Sequence, residues 1–241
     1  MAPKTAPDIF NSDVDQTGSY LYTTNEMLSN RVASARKSRA MLETISYRGK
    51  RVLDIGCGDG TYTVELFDHG APNFLVGIDP AEKAIEAAKR KAQGRAFSLQ
   101  VGSAYELPFA DASFDIGHLR DVLHHMEHPV QALREALRVA CAIVVTEPNG
   151  YNLILKLRER FSPYHVEHAE KSYAPHALDQ WIQELGGTTR VRGWFGLVPF
   201  FWPDWTVAPL KALEPIVEGT PGLRSLGCAS YVFVSENKTV S

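Results

Sequence analysis

This sequence predicts an α/β fold with a doubly wound, mostly parallel sheet and helices on both faces. Three observations carry the prediction. Short apolar runs recur with helical stretches between most of them; a glycine-rich turn, VLDIGCGDG, follows the first run; and the second run ends on an acid, VGID. Apolar strands alternating with helices form a parallel sheet covered on both sides. Right-handed crossovers then bring every strand's C-terminal end to the same edge.

Taken in order, residues 1–19 are polar, with Pro3, Pro7 and Gly18, and are expected to be mobile. From about Thr24 to Ile45 the pattern is helical: Met27, Leu28, Val32, Ala35, Ala40, Met41 and Leu42 fall near one face, leaving Arg31, Arg36, Lys37 and Arg39 for solvent. Strand-like runs follow at 51–55, 74–78, 97–101, 114–119 and 142–146, with helices at 61–68, 81–93 and about 129–140. A helix at about 151–161 leads to the loop SPYHVEHAEKSY, and a second helix at 175–185 is stopped by Gly186 and Gly187. Beyond them come the aromatic stretch GWFGLVPFFWPDW, a Pro-interrupted helical piece near 205–218 and a last strand, SYVFVS. The chain is read as an N-terminal tail and helical cap (1–48) ahead of a main domain (49–241) with a late insertion. Its substrate-side elements are placed at 148–180 and 194–222.

Composition narrows the function classes. The 241 residues are 44% hydrophobic and 22% charged, as in an ordinary globular protein. A net charge of −3 argues against a nucleic-acid partner, which calls for a basic surface. Three scattered cysteines, none in a CxxC pair, fit neither a disulfide framework nor a zinc site. The N-terminus MAPKTAPDIF lacks the apolar core of a signal peptide, and no stretch reaches the ~18 apolar residues of a membrane span. The expectation is a soluble, cytoplasmic protein, monomer or homodimer.

The glycine turn carries the chemistry. Ligands of open parallel sheets bind beyond the carboxyl ends of the strands. Gly56, Gly58 and Gly60 let the backbone turn sharply there and let a ligand approach it closely. Asp79, about 20 residues further on, is placed to accept hydrogen bonds from both hydroxyls of a ribose. The turn is G-x-G-x-G, not the G-x-G-x-x-G of dinucleotide sites, and holds Asp59, which repels phosphate and attracts a cation. No GK[ST] follows, which excludes a Walker phosphate loop. A nucleoside bearing positive charge is the ligand these features describe.

With VLDIGCGDG, VGID, GSAYELPFADASFD and DVLHHMEHP together, the chain resembles the class I S-adenosylmethionine-dependent methyltransferases. Within these it resembles the small-molecule branch related to ubiquinone and menaquinone methyltransferases (type 11). The likeness covers about residues 50–146. It implies a seven-stranded Rossmann-like sheet, S-adenosylmethionine as cofactor and S-adenosylhomocysteine as product. It further implies that Asp54 and the backbone of Gly56, Cys57 and Gly58 hold the methionine portion and that Asp79 holds the ribose. Pro80 packs near the adenine, and Ser103 and Ala104 meet its polar edge. The family usually has an aspartate where Ser103 stands. Leu119 and Arg120 flank the methionine chain and the methyl group, unless Arg120 turns to bind an anionic substrate.

Candidate bases are His124 and His125 after the fourth strand, with helix-end structural roles as the alternative, and His165 in the later loop. His118 lies inside a strand and is read as core. Tyr20 and Tyr22 are expected to close a lid over the site. Glu147, Asn149, Tyr164 and His168 are candidate substrate contacts. HVEH lacks the spacing of HExxH, so no metal is expected. The aromatic stretch, extended by Leu210, Leu213, Ile216 and Val217, is either core or interface, or an acceptor pocket or membrane-touching surface. The reading is methyl transfer to a small molecule that is apolar or aromatic in part, through an O, N or C nucleophile. The alternatives are a non-catalytic S-adenosylmethionine-binding module and a transferase using an altered sulfonium donor. A nicotinamide oxidoreductase is disfavoured by the short glycine turn, and nucleic-acid modification by the absence of an NPPY-type tetrapeptide, where this chain reads HLRD.

Overall fold

The structure, a computed structural model, describes residues 6–161 and 171–237. Seven strands form one sheet: β1 (Arg51–Ile55), β2 (Phe74–Asp79), β3 (Ser98–Val101), β4 (Phe114–Arg120), β5 (Ala140–Pro148), β6 (Gly187–Phe195) and β7 (Ser230–Asn237). Their order is β3-β2-β1-β4-β5-β7-β6. The first five run parallel, and β7 is antiparallel to both β5 and β6. The order reverses between β1 and β4, the position where an open sheet parts to admit a ligand.

Side chains of successive strand residues leave opposite faces, so each strand feeds two cores. Leu53, Ile143, Val145 and Phe233 pack with Leu133 of α6 (Pro129–Val139) and Ile182 of α8 (Pro175–Glu184). On the other face, Val52, Val144, Val232 and Val234 pack with Met41 of α3 (Leu28–Thr44) and Leu66 of α4 (Thr61–Gly70). α5 (Glu82–Lys91) crosses from β2 to β3.

Three features differ from the sequence reading. Residues 6–17, expected to be mobile, form α1 (Ala6–Thr17); Phe10 and Val14, one helical turn apart, pack on the alanine face of α5 at Ala84 and Ala87. A short α2 (Leu21–Thr24) precedes α3, which starts at Leu28 because the Asn25 side chain accepts the Met27 N–H at 2.9 Å and turns the chain. β6 is the one of the seven strands implied by the resemblance that the residue pattern does not locate. Gly187 and Gly193 dilute its strand pattern, a register shift between Thr189 and Val191 breaks the alternation, and Arg190 and Arg192 are held by Glu236 and Asp179. The remaining helices are α7 (Leu153–Phe161), α9 (Val207–Gly219) and α10 (Pro221–Gly227). No helix among the described residues is long and apolar enough to cross a membrane.

α3 also corrects its expected solvent face. Lys37 and Ser38 are buried, and Arg36 is held by Glu218 of α9 through two hydrogen bonds of 3.1 and 2.7 Å. The segment that returns from β6 to α9 covers that face: Phe201 and Trp202 donate their N–H groups to Asn30 and Ser29.

At Gly60 the backbone is left-handed (φ 75°), and a Cβ would stand 2.6 Å from Ala88 Cβ and 2.8 Å from its Cα. Gly60→Ala therefore meets conformational strain and a clash with helix backbone at once. The expected loss is about 2–4 kcal/mol of stability, read as a lower urea midpoint at unchanged slope.

Candidate active site

The site begins where β1 stops. Gly56, Gly58 and Gly60 all have positive φ, and the N–H groups of Gly56 and Cys57 donate back to Ile78 O at 2.8 and 3.1 Å. The turn is thus folded onto the end of β2. There the buried Asp79 carboxylate takes the Gly58 N–H on Oδ2 and the Ala81 N–H on Oδ1, each at 2.9 Å. Burial pushes the Asp79 carboxyl up, the two N–H donors pull it back in part, and the result is about 6.

A cavity of about 400 Å³ opens over this edge, within the ~300–1,000 Å³ of small-molecule sites. Gly56, Cys57, Gly58, Asp79, Pro80, Ser103 and Ala104 line it from the first three strands. Arg120, Asp121, His124 and His125 line it from β4 and the turn that follows. Tyr20, Tyr22 and Lys37 come from the N-terminal elements, Tyr62 from α4, Phe195 from the end of β6, and Val198 and Phe200 from the segment after it.

Asp59 holds a cation, but one of the chain's own. Its carboxylate accepts Ser19 Oγ, Thr23 Oγ1, the Tyr20 N–H (3.0 Å) and the Thr61 N–H (3.0 Å), and pairs with Lys91 at 2.9 Å. Burial pushes this carboxyl up, but Lys91, Ser19 and Thr23 outweigh it and bring it down to about 2. The N-terminal elements are pinned to the glycine turn by this one side chain. Tyr20 lies so close over Gly58 that a Cβ there would be 2.5 Å from its ring.

Several candidates stand elsewhere than expected. Asp54 does not line the cavity: its Oδ2 accepts Thr63 Oγ1 at 2.6 Å beneath the turn, and burial, partly offset by Thr63 and Arg120, pushes its carboxyl up to about 6. Leu119 is fully buried in the core. Asn149, expected to meet substrate, donates to Ser225 O and Cys228 O and accepts the Tyr151 N–H. Glu147, also expected at the substrate, is 0% exposed; Oε1 accepts the N–H groups of Val122 and Leu123, and Oε2 lies 2.7 Å from His124 Nδ1. Both residues are consumed by the backbone because the chain must turn on leaving β4 and β5 while buried. Tyr164, His165 and His168 lie outside the described residues. His118 pairs with Tyr47 at 2.9 Å; burial, reinforced by Arg120, holds its imidazole down at about 3, so it is neutral.

Arg120 does not project a bare charge. Its guanidinium carbon lies 3.5 Å from the centre of the Tyr62 ring, Nη1 donates to Ser38 Oγ (2.6 Å) and Nη2 to Ser34 O (3.2 Å). His125 meets Phe10 edge-on at 5.0 Å and His124 at 4.0 Å between ring centres.

Two residues escaped the sequence reading. Asp121, at φ 55°, places Oδ2 2.6 Å from Lys37 Nζ, while its buried Oδ1 has no hydrogen-bond partner among the described residues. Lys37 in turn lies 5.3 Å from the centre of the Phe200 ring. Burial raises the Asp121 carboxyl, but Lys37, His124 and Arg120 bring it below the ordinary range. The signal available was the triplet LRD at the end of β4; Lys37 gave none, since its helix face looked solvated.

Residues 53–142 match the sequence model of the type 11 family described as "Methyltransferase domain". An uncharacterised methyltransferase, C1B3.06c, of Schizosaccharomyces pombe is 36% identical over 110 residues, 42% of this chain and 37% of that protein. An uncharacterised 37.1 kDa protein of transposon TN4556 in Streptomyces fradiae is 30% identical over 181 residues, 73% of this chain and 49% of that one. A ubiquinone biosynthesis O-methyltransferase of Coxiella burnetii is 29% identical over 124 residues, 51% of this chain and 50% of the relative. The chain spans about half or less of the length of these relatives. A Thermotoga maritima structure titled an S-adenosylmethionine-dependent methyltransferase, possible histamine N-methyltransferase, shares the fold: TM-score 0.70 at 19% identity, covering 97% of this chain and 100% of that one. Residues 53–142 are thus similar to the methyltransferase domain of the type 11 family, whose methyl donor is S-adenosylmethionine.

The residues present fit that cofactor. An ionisable acid at the end of β2, a turn of three glycines at positive φ and a cavity within the small-molecule range meet at one strand edge.

Asp59→Ala removes the anchor of the N-terminal elements and leaves Lys91 without its carboxylate. Lys91 is partly exposed and keeps Ser19 and Thr61 as partners, so the cost falls on the donors of Ser19, Thr23 and Tyr20 left without their acceptor, roughly 1–3 kcal/mol. Chymotrypsin should then cleave at Phe10, Tyr20 or Tyr22 well before the sheet unfolds, whereas the wild-type chain resists until global unfolding.

Proposed function

We propose that this chain transfers a methyl group from S-adenosylmethionine to a small-molecule acceptor that is apolar or aromatic in part, at an O, N or C nucleophile. One observation carries the reading: the buried Asp79 carboxylate, bonded to the glycine turn, lines a cavity of about 400 Å³ walled in part by aromatic side chains. In this reading residues 1–48 are a cap, and 49–241 are the methyltransferase domain with substrate-side elements at 148–180 and 194–222.

When bound, the cofactor supplies an electrophilic methyl group, and the protein's task is alignment in a dry pocket. Asp79 accepts the ribose hydroxyls on lone pairs that Gly58 and Ala81 leave open. The backbone at Gly56, Cys57 and Gly58 seats the methionine portion. Pro80, Ser103 and Ala104 seat the adenine. Tyr20 and Tyr22 exclude water from above, and Phe195, Val198 and Phe200 shape the acceptor side.

His124 is the base in this scheme. Its Nδ1 faces Glu147, which fixes the tautomer with the proton on Nδ1 and makes Nε2 the basic nitrogen. A buried carboxylate behind an imidazole both orients it and stabilises the imidazolium formed when it takes the acceptor's proton. Asp121, too acidic to be a good base, offers Oδ1 as a hydrogen-bond acceptor that orients the nucleophile. His125, packed against Phe10, closes the wall beside it.

Calorimetry with S-adenosylhomocysteine tests the cofactor half. Asp79→Asn should weaken binding by at least tenfold, and no heat of binding to the wild-type chain sinks the reading. Because ionised Asp79 is held at a cost when buried, the stability it contributes is present below its unfolded value of about 4 and is lost as pH rises through about 6. Ribose hydroxyls satisfy the ionised form, so binding should tighten from pH 5 to pH 7, and Asp79→Asn should flatten that dependence.

His124→Gln should lower kcat by ~10²–10⁴ at unchanged cofactor affinity. Glu147→Gln should lower it less and shift the ascending limb of the pH–rate profile. Turnover would be followed with labelled donor and a panel of phenolic, amine and carbon-acid acceptors, read as the mass gain of one methyl group. Normal turnover in His124→Gln would leave alignment as the whole of catalysis.

A further inference from the structure

α9 is amphipathic in the reverse sense. Its carboxylates point into the protein: Glu218 accepts both Arg36 donors and the Gly196 N–H, and Glu214 accepts the Leu197 N–H and Lys211. Two of its apolar side chains point out, Leu213 at 50% and Ile216 at 61% exposed. α10 beside it exposes Leu223 and Leu226. The two helices are in close contact, since a Cβ on Gly227 would stand 3.0 Å from Val217. α7 joins at the end of α10. Asn152, at its start, donates to Gly227 O and Cys228 O, and Leu153, Ile154 and Leu157 are exposed. Trp205, in the turn leading into α9, is 81% exposed. A run of apolar side chains this long on neighbouring helices is more than scattered surface hydrophobicity.

The charges on these elements are sorted by sign. Lys156 and Arg160 are exposed and Lys211 is partly so, while Glu159 and Glu214, the ion-pair partners of the two lysines, lie inward of them with Glu218; among the described residues of these elements Asp204 is the one exposed carboxylate. An apolar face with an exposed tryptophan and a basic rim suits the interface of a membrane carrying anionic lipid. A second copy is disfavoured, because a two-fold contact sets each patch against itself and brings like cations together.

We propose that the outward face of α7, α9 and α10 docks on an anionic lipid surface. The inner side of α7, through Leu155, Arg158 and Glu159, lines the cavity. A docked molecule therefore has the acceptor side of that cavity next to the lipid. Docking does not depend on the methyl-transfer reading; only the delivery of a lipid-dissolved acceptor does.

The test is flotation of the full chain with vesicles of phosphatidylcholine alone and of phosphatidylcholine with phosphatidylglycerol. The chain should float with the anionic vesicles, be released by high salt and show a blue shift of tryptophan emission that is lost in Trp205→Phe. Leu213→Glu with Ile216→Glu, and separately Lys156→Glu with Arg160→Glu, should each weaken binding about tenfold or more while far-UV circular dichroism and S-adenosylhomocysteine calorimetry stay as in the wild type. No association with anionic vesicles overturns the proposal, as does unchanged binding by the Leu213/Ile216 variant. A concentration-dependent dimer that this variant dissociates, without vesicle binding, overturns it too and assigns the face to a second copy. Calorimetry reads the cofactor site separately, so neither result stands in for the other.

Discussion

Asp79 accepts one N–H from the glycine turn and one from the start of α5, and so ties together three segments, next to Ile78 O, which takes the Gly56 and Cys57 N–H groups. β1 and β2 are parallel neighbours, but their ladder ends at Ile55 and Ile78. Beyond it the chain turns through three residues of positive φ, a conformation with no ladder to hold it. The two N–H bonds to Ile78 O and a charge-assisted bond from the Gly58 N–H to the buried Asp79 carboxylate supply that hold. The same carboxylate lines the cavity, so in the proposed reading the group that builds the turn is also the group that the ribose meets. Burial lifts its carboxyl toward neutrality, and donors arriving from a ligand relieve that stress.

The C-terminal edge of the sheet carries five carboxylates: Asp54, Asp59, Asp79, Asp121 and Glu147. Left to themselves they would repel one another, and their differing fates follow from what else reaches each. Lys91 and the hydroxyls of Ser19 and Thr23 drive Asp59 to the acid side of its ordinary value, and Lys37 does the same for Asp121. Asp54 and Asp79 have hydroxyl or N–H partners but no lysine, and both rise to about 6. The cations come from α3 and α5, outside the strand edge, so the cap and the first crossovers are electrostatic parts of the site as well as covers over it.

The legible parts of this molecule were those whose residues act through local pattern. β1 could be read to the residue because Val52 to Ile55 is an apolar run ended by a glycine turn, and both its faces are buried. The register of Asp79 with that turn could be read because it depends only on the length of one βα unit. What could not be read depends on tertiary cover. Lys37 sits on a helix face that looks polar in sequence and is buried only because the segment after β6 lies over it. Glu147 and Asn149 look like substrate contacts because they end a strand at the active edge, yet backbone groups with no other partner claim them first. β6 hid behind two glycines and a register shift.

The aromatic stretch after β6 shows why a sequence can support two readings at once. Phe195, Val198 and Phe200 line the cavity, while Trp205, Leu213 and Ile216 face solvent. Both sets follow the same composition, and no hydropathy window separates them. The separation is made by α3: Asn30 and Ser29 capture the backbone of Phe201 and Trp202, Asp204 takes the Leu28 N–H, and Arg36 takes Glu218. Once those polar bonds fix the path of the chain, apolar residues before them are turned into the cavity. Those after them are turned out, because the inner side of α9 is already taken by its own carboxylates. Buried polar pairing therefore decides here which hydrophobic residues are core and which are surface, the reverse of the usual order in which apolar burial fixes a helix's orientation.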